Sequence, residues 1–455
     1  MRLRFWLSTL VILSWLLGAC AGGATPAAPT GGGETAGSEA PSSGTEKITL
    51  RFWSHQNPAF IAANETLIQL FEEAHPDVDI VYEQFPYDVF IQTLQTSMPA
   101  GTEADVIEMF GTWVCTYANG GRLAQLPEDI VAAAELRDLM YEAPLGGYTC
   151  NGNLYGLPNE FNLEVGGALV NPKLFEEAGL PYPPQWQTMD DLIADAVALT
   201  KVENGQMTQA GFHFVTGDGI PFLLFEGILE QGGQYINGPE TPGDYFNLDS
   251  PEALDTVRWM VNVVQDRGVI DPVLFNGESN WVGDAFFNGQ VAIGFVGSWA
   301  AAEGLINYPD MEFDYVRVPP LFGDTYHFAA DSGWGKVVSV NTQHPDLAWE
   351  FARFMTLERD NAETWNKMTG TIPALKAPVE ERTILDKVPW IEAVLPILGG
   401  GEFLGPVLDR DQLFGDIIYP HVLSALQGVE TAEEAVQAID DEADEMAEQI
   451  LSTQQ

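Results

Sequence analysis

The stretch from Ile48 to Phe110, ITLRFWSHQNPAFIAANETLIQLFEEAHPDVDIVYEQFPYDVFIQTLQTSMPAGTEADVIEMF, decides the fold class. Ile48 to Trp53 alternates with the period of two that marks a strand. Pro58 to Ala74 then reads as a helix, with Phe60, Asn64, Leu67, Ile68 and Phe71 along one side. Val78 to Phe85 is a second strand. Tyr87 to Met98 is a second helix, carrying Phe90, Ile91, Leu94 and Met98 at helical spacing, and Asp105 to Phe110 is a third strand. Strands alternating with helices predict parallel βαβ units. Ligands of such sheets sit beyond the carboxyl ends of the strands, so the segments after Trp53 and after Phe110 are the places to look for a site.

Further along, helix punctuation is clear. Asn171-Pro172 opens one helix and Gly179 stops it; Thr188 caps another bearing Leu192, Ala196 and Leu199. Ser250-Pro251 opens a third, with Leu254, Val257, Val261 and Val264 inward and Gly268 closing it. Gln290 to Val296 and Lys336 to Val340 read as short strands. A helix from Pro345 bears Leu347, Phe351 and Phe354, and Thr431 with Glu434 forms a capping box for the last helix. No solenoid period repeats. The body after the N-terminal region is too long for one core of typical size and suits two lobes.

The N-terminus sets the compartment. Arg2 and Arg4 precede an apolar run from Phe5 to Leu17, too short to span a bilayer and the right length for a signal-peptide core. Leu17-Gly18-Ala19-Cys20 resembles the lipobox of bacterial lipoproteins, which implies cleavage before Cys20, a lipid on its thiol and an extracytoplasmic protein held at the outer face of the cell membrane by that lipid alone. Residues 1–19 are then the signal peptide. Residues 20–46, the lipidated cysteine and a Gly/Ala/Pro/Ser/Thr-rich linker, have nothing with which to join a core. The formal net charge is −47, from 66 acids against 19 Lys and Arg, and removing the leader takes away two arginines and no acid. Such a chain repels nucleic acid and disfavours anionic ligands. The acidic run from Asp440 to Glu448 reads as a solvated helix face.

The order of elements resembles the extracellular solute-binding proteins of ABC transporters, family 1, typified by maltose-binding proteins. Four segments carry the resemblance: Leu67 to Pro76 (LIQLFEEAHP) leading into its strand; Gly101 to Phe110 (GTEADVIEMF); Leu154 to Gly179 (LYGLPNEFNLEVGGALVNPKLFEEAG), followed by Pro183-Pro184 and Trp186; and Phe287 to Trp299 (FNGQVAIGFVGSW). Here Asn171 and Lys173 are split by Pro172, and Trp186 precedes Thr188, both departures from the family's usual wording. The resemblance implies an α/β, two-lobe periplasmic-binding-protein-like fold with a hinge and an interlobe ligand cleft. Mapped by order, 47–157 plus 332–372 form one lobe and 158–331 plus 373–455 the other. It also implies hinge closure, a monomer, permease subunits as partners and no cofactor.

Sugar recognition needs flat apolar rings for the C–H faces of a pyranose and polar groups around its hydroxyl rim. Several of the twelve tryptophans stand beside glycines or polar residues rather than in helix stripes. The candidate ligand residues are Trp53, His55 and Gln56 after the first strand, Phe110 and Trp113 after the third, Glu160 just past the Leu157-Pro158 crossover, Trp281, Trp299, and Asp331 with Trp334. Core packing is the competing reading for each tryptophan, and Trp259, Trp349 and Trp365 sit inside helices as core. Asp105 reads as structural, while Asp409 and Phe414 lie in a late loop that approaches the ligand in the family. With Cys20 lipidated, Cys115 and Cys150 remain, both in turn-rich segments of one lobe, and an oxidising compartment joins them as a disulfide. The six histidines are scattered without metal-ligand spacing, and no nucleophile-elbow, phosphate-loop or zincin motif occurs. A secreted glycoside hydrolase, or a binding protein for a polyol, polyamine or peptide, are the alternatives.

Overall fold

The computed structural model describes residues 47–453 except 215, 216, 218, 240, 242 and 277–281. The leader, Cys20, the linker and Trp281 therefore lie outside the described residues. Two mixed sheets organise the body. The first runs, edge to edge, Val78–Phe85, Ile48–His55, Val106–Phe110, Trp334–Val338, Gly156–Pro158. Its first three strands are parallel, as strand–helix alternation requires. Trp334–Val338 then enters antiparallel to both neighbours. The second sheet runs Asp314–Arg317, Gly167–Val170, Val291–Phe295, Gln206–Phe214, Lys201–Glu203.

Local chemistry explains the helices on the first sheet. Asn57 caps Pro58–Ala74: its side-chain Oδ1 accepts the backbone N–H of Ala59 and Phe60 at 2.9 and 3.2 Å. Phe60, Asn64, Leu67, Ile68 and Phe71 of that helix are all buried. Thr188 and Asp191 form a reciprocal capping box at the start of Met189–Leu199. The strand expected over Lys336 to Val340 runs instead over Trp334–Val338, because its ladder pairs Trp334 with Phe110 and ends with Val338 opposite Val106. The helix begun at Pro251 is α-helical to Val261 and continues as a π-turn over Asn262–Asp266.

Two apolar cores result. One gathers Phe52, Phe71, Phe90, Trp349 and Trp365 around the first sheet. The other gathers Phe175, Phe212, Phe225 and Phe295 around the second. Two further short ladders pair Glu160–Phe161 with Ile372–Pro373, and Phe328–Ala330 with Gly401–Phe403. Cys115 and Cys150 form a disulfide with Cα atoms 5.4 Å apart, tying the helix Gly111–Asn119 to the strand Thr149–Cys150.

The acidic run of the last helix, Ala432–Thr453, is not purely a solvated face. Asp440 and Asp444 accept the backbone N–H of Leu248 and Phe246 at 2.6 and 2.8 Å, and Asp440 is buried. These carboxylates satisfy backbone donors that precede the helix Pro251–Val261. Burial pushes the Asp440 carboxyl up to about 6.

Candidate ligand-binding cleft

The strand Ile48–His55 delivers His55, Gln56 and Asn57 at its carboxyl end, and Val106–Phe110 delivers Phe110 at the same edge. Trp334–Val338 runs the opposite way, so its first residue, Trp334, meets Phe110 at that edge too. A cavity of about 360 Å³ opens there, within the size range of small-ligand sites. His55, Gln56, Asn57, Phe60, Tyr87, Phe110 and Trp334 line it from the first sheet and its helices. Phe222, Trp299 and Glu303 line it from helices of the second core, and Glu160, Asn162, Glu164, Asp331 and Arg410 from connecting segments.

Trp334 is the hub of one wall. Its ring stacks on His55 at 4.0 Å between centroids with 15° between planes, and Phe110 and Trp113 pack against it at 5.0 and 5.6 Å. Across the cavity, the Trp299 indole N–H donates to both Glu164 oxygens at 3.2 and 3.3 Å, which fixes the ring's plane. Asn162 donates to Glu164 at 2.8 Å and to Asp331 at 3.1 Å. Arg410 lays its guanidinium over Phe414 at 4.3 Å and over Phe110 at 5.8 Å, and its Nη2 lies 3.4 Å from Asp331 Oδ2.

The turn 331–334 needs a glycine. Gly333 has φ +111°, and a Cβ there would sit 2.7 Å from Glu160 Cγ. This close approach lets Glu160 Oε1 accept the Trp334 backbone N–H at 3.1 Å. Burial raises the Glu160 carboxyl to about 8; that hydrogen bond opposes the shift, and the charges of Glu108, Asp331 and Glu164 reinforce it. Glu303 accepts from Asn57 Nδ2 at 3.1 Å, and burial, helped by Asp284, lifts its carboxyl to about 7.

Behind the wall lies a charged group of opposite character. Glu108 is wholly buried, with Lys336 Nζ at 2.9 Å, His55 Nδ1 at 3.1 Å and Asn64 Nδ2 at 3.0 Å. Burial alone would push its carboxyl up, but the Lys336 ammonium and His55 outweigh burial and hold it at about 2. The pair therefore anchors the His55 ring that stacks on Trp334.

Of the residues singled out from sequence, His55, Gln56, Phe110, Glu160, Trp299, Asp331 and Trp334 meet in this cavity wall. Trp113 stands just behind it, its indole N–H 3.4 Å from Asp411 Oδ1. Trp53 is placed elsewhere: its indole donates to Glu83 at 2.7 Å beneath the Arg51 guanidinium, because the strand runs on to His55 and carries the cavity edge past it. Trp281 lies outside the described residues. Asp409 accepts the Gln412 N–H, Phe414 packs under Arg410, and Asp105 accepts the Arg51 backbone N–H at 2.8 Å. Sequence reasoning did not single out Asn57, Asn162, Glu164, Glu303, Arg410, Glu108 or Lys336. A lysine and a glutamate inside otherwise apolar strands were the available signal for the last two. Among the described residues, no group of three or more His, Cys, Asp or Glu side chains is arranged to hold a metal ion. No helix of the described residues is long and apolar enough to cross a membrane.

Comparison with known proteins agrees with this architecture. A family model described as bacterial extracellular solute-binding protein matches residues 56–362, more than half of the chain. A galactooligosaccharide-binding protein of Bacillus subtilis is 25% identical over 394 residues, covering 84% of this chain and 85% of the relative. A maltotriose-binding protein of Pyrococcus abyssi is 22% identical over 348 residues, covering 75% and 69%. The fold matches a solute-binding protein from Thermotoga lettingae, solved with α-D-tagatose, at a TM-score of 0.75 and 20% identity, covering 88% of this chain and 100% of that one.

Proposed function

The chain belongs to the bacterial extracellular solute-binding proteins, and from that premise we propose that its cleft captures a saccharide and hands it to an ABC importer's permease. The observation that carries this reading is the pairing of Trp334 and Trp299 on opposite walls, with Glu160, Glu164, Asn162 and Asp331 around them. Indole faces cover the apolar face of a pyranose, while carboxylates and amides accept from and donate to its hydroxyls. Relatives named for galactooligosaccharide and maltotriose support the ligand class. The family is one of binding proteins, not enzymes.

In this proposal the lobes are 47–157 plus 332–372 and 158–331 plus 373–455, and hinge bending between them closes the cleft. The mature monomer starts at a lipidated Cys20 and is tethered by residues 21–46 to the outer face of the membrane. A thermal-shift panel of mono- and oligosaccharides, polyols, amino acids and polyamines tests the ligand class. Stabilisation by saccharides alone is the expected result, and stabilisation only by another class overturns it. Cys20→Ser is expected to release the protein from membranes; a wild type already soluble, with its N-terminus elsewhere, overturns the anchor.

A further inference from the structure

The charge lining the cavity narrows the ligand further. Glu160 is 3% exposed and faces the cavity. Its Oε1 takes the Trp334 N–H, and among the described residues no donor meets its Oε2. Glu303, in the other wall, is held by the neutral amide of Asn57. Among the described residues neither carboxyl has a lysine or arginine within ion-pair distance. The cavity's guanidinium, on Arg410, lies against Asp331 and Asp411, and His55 is engaged with Glu108.

Resting on the saccharide reading above, we propose that the ligand carries an ammonium group, as an amino sugar or an oligosaccharide containing one, which Glu160 and Glu303 receive between the aromatic walls. Three arguments meet here. A buried carboxylate without a cation is unfavourable, and a ligand ammonium supplies the missing charge with a charge-assisted hydrogen bond. Indole and phenol faces such as Trp334 and Tyr87 attract a desolvated cation. A chain of net charge −47 draws cations toward its clefts and repels anions. A neutral sugar uses the rings and the hydroxyl acceptors, but brings neither carboxyl a countercharge.

The same geometry predicts proton release on binding. Burial raises the Glu160 and Glu303 carboxyls to about 8 and about 7. The groups facing Glu160 are Glu108, Asp331 and Glu164, with Lys336 behind Glu108; Asp284 faces Glu303. Apart from Lys336, whose charge is taken by Glu108, these disfavour ionisation. An arriving ammonium favours the ionised carboxylates, so protons leave as it binds.

Isothermal titration of the mature protein against matched pairs tests the proposal: glucosamine with glucose, galactosamine with galactose, mannosamine with mannose, and the β-1,4 trisaccharide of glucosamine with cellotriose. Spermidine is the non-sugar control. In at least one pair the amine is expected to bind about tenfold tighter or more, the scale of one charge-assisted hydrogen bond. At about pH 6.5 its apparent enthalpy should vary with the buffer's ionisation enthalpy in the sense of proton release. Glu303→Gln and Glu160→Gln, each checked for unchanged near-UV circular dichroism, are expected to shrink that preference to about threefold or less. Neutral sugars binding as tightly as their amines, or a preference that survives both substitutions, overturns the ammonium and leaves the saccharide reading standing. Spermidine binding without any saccharide, or no saccharide binding at all, overturns both.

Discussion

Lys336→Met removes the ammonium from a site where nothing can replace it. The Lys336 and Glu108 side chains are both 0% exposed, and Nζ sits 2.9 Å from Glu108 Oε2 and 2.9 Å from Asn159 Oδ1, with the rings of Phe52 and Trp365 at 5.5 and 5.3 Å. Methionine fills most of the space of the lysine stem, so cavity formation contributes little. What is lost is the charge, and breaking a buried pair by removing one partner costs about 3–5 kcal/mol. The expected result is a loss of that size in the urea unfolding transition of the first-sheet core, followed by tryptophan fluorescence at pH 7.

The pH dependence carries the sign. In the wild type, Glu108 at about 2 contributes stability that is fully present above the unfolded carboxyl value of about 4.3 and is lost as pH falls toward 2. In the variant, burial without Lys336 raises that carboxyl, so stability is fully present below about pH 4.3 and falls as pH rises above it. Replacing both partners, Lys336→Met with Glu108→Gln, leaves no buried charge and is expected to recover more than half of the loss. In the double variant His55 also loses its carboxylate partner, so affinity falls even where the fold is recovered. A single-variant loss under about 1 kcal/mol, or a double variant as unstable as the two single losses added, refutes the argument that this pair is locked by mutual charge.

Trp299→Ala is expected to weaken ligand binding at least about tenfold by titration calorimetry, as loss of a buried aromatic anchor does, whereas Trp259→Ala, remote on the helix Pro251–Val261, leaves it nearly unchanged; equal effects count against the wall assignment. Reducing the bridge through Cys115→Ala with Cys150→Ala is expected to lower stability by about 3–4 kcal/mol in urea, since it frees a loop of sequence separation 35; two free thiols in the unfolded, unreduced wild type would contradict the bridge itself. Glu160, raised to about 8 by burial, keeps its proton in the folded state while the unfolded chain has lost it, so it destabilises the fold progressively as pH rises from about 4.3 toward 8. Glu160→Gln is therefore expected to gain melting temperature on the wild type between about pH 5 and pH 8, and a constant difference across that range goes against the shift.

The first sheet was legible because its order-setting information is local. Each helix between Ile48 and Phe110 carries its own buried stripe and its own boundary signal, a start at Asn57 and Pro58 for one and a stop at Gly101 for the other. The antiparallel strand Trp334–Val338 was harder to bound, because its limits are set by pairing with Val106–Phe110, a partner more than two hundred residues earlier in the chain. The site divided along the same line. His55 and Phe110 follow from the carboxyl ends of parallel strands, where the fold class alone points, whereas Trp334, at the amino end of an antiparallel strand, follows from its glycine-flanked setting and the family resemblance. Asn162 and Glu164, Glu303, and Arg410 reach the cavity from three separate segments, and nothing in their local spacing announces that convergence. Trp53 shows the sensitivity of such reasoning to a strand boundary: extending the strand to His55 moves the ligand edge along it and leaves Trp53 under Arg51 and Glu83.

The antiparallel strand also explains why recognition and stability meet at one edge. In a wholly parallel sheet only carboxyl ends would face the ligand, and the strand carrying Lys336 would present its far end there. Because Trp334–Val338 runs the other way, it starts at the ligand edge with Trp334 and turns Lys336 inward to meet Glu108. Glu108 in turn holds His55, the last residue of the neighbouring parallel strand, against Trp334. The aromatic wall is thus clamped from behind by a buried ion pair, and its two rings come from strands of opposite direction. In front, Asn57 of the first sheet's helix cap donates to Glu303 on the helix Trp299–Asn307, so the same edge touches the second core through a carboxyl that burial leaves readily protonated. A ligand that changes the charge of Glu303 therefore acts directly on a contact between the two halves. The wall behind it, fixed by Lys336 and Glu108, has no reason to move.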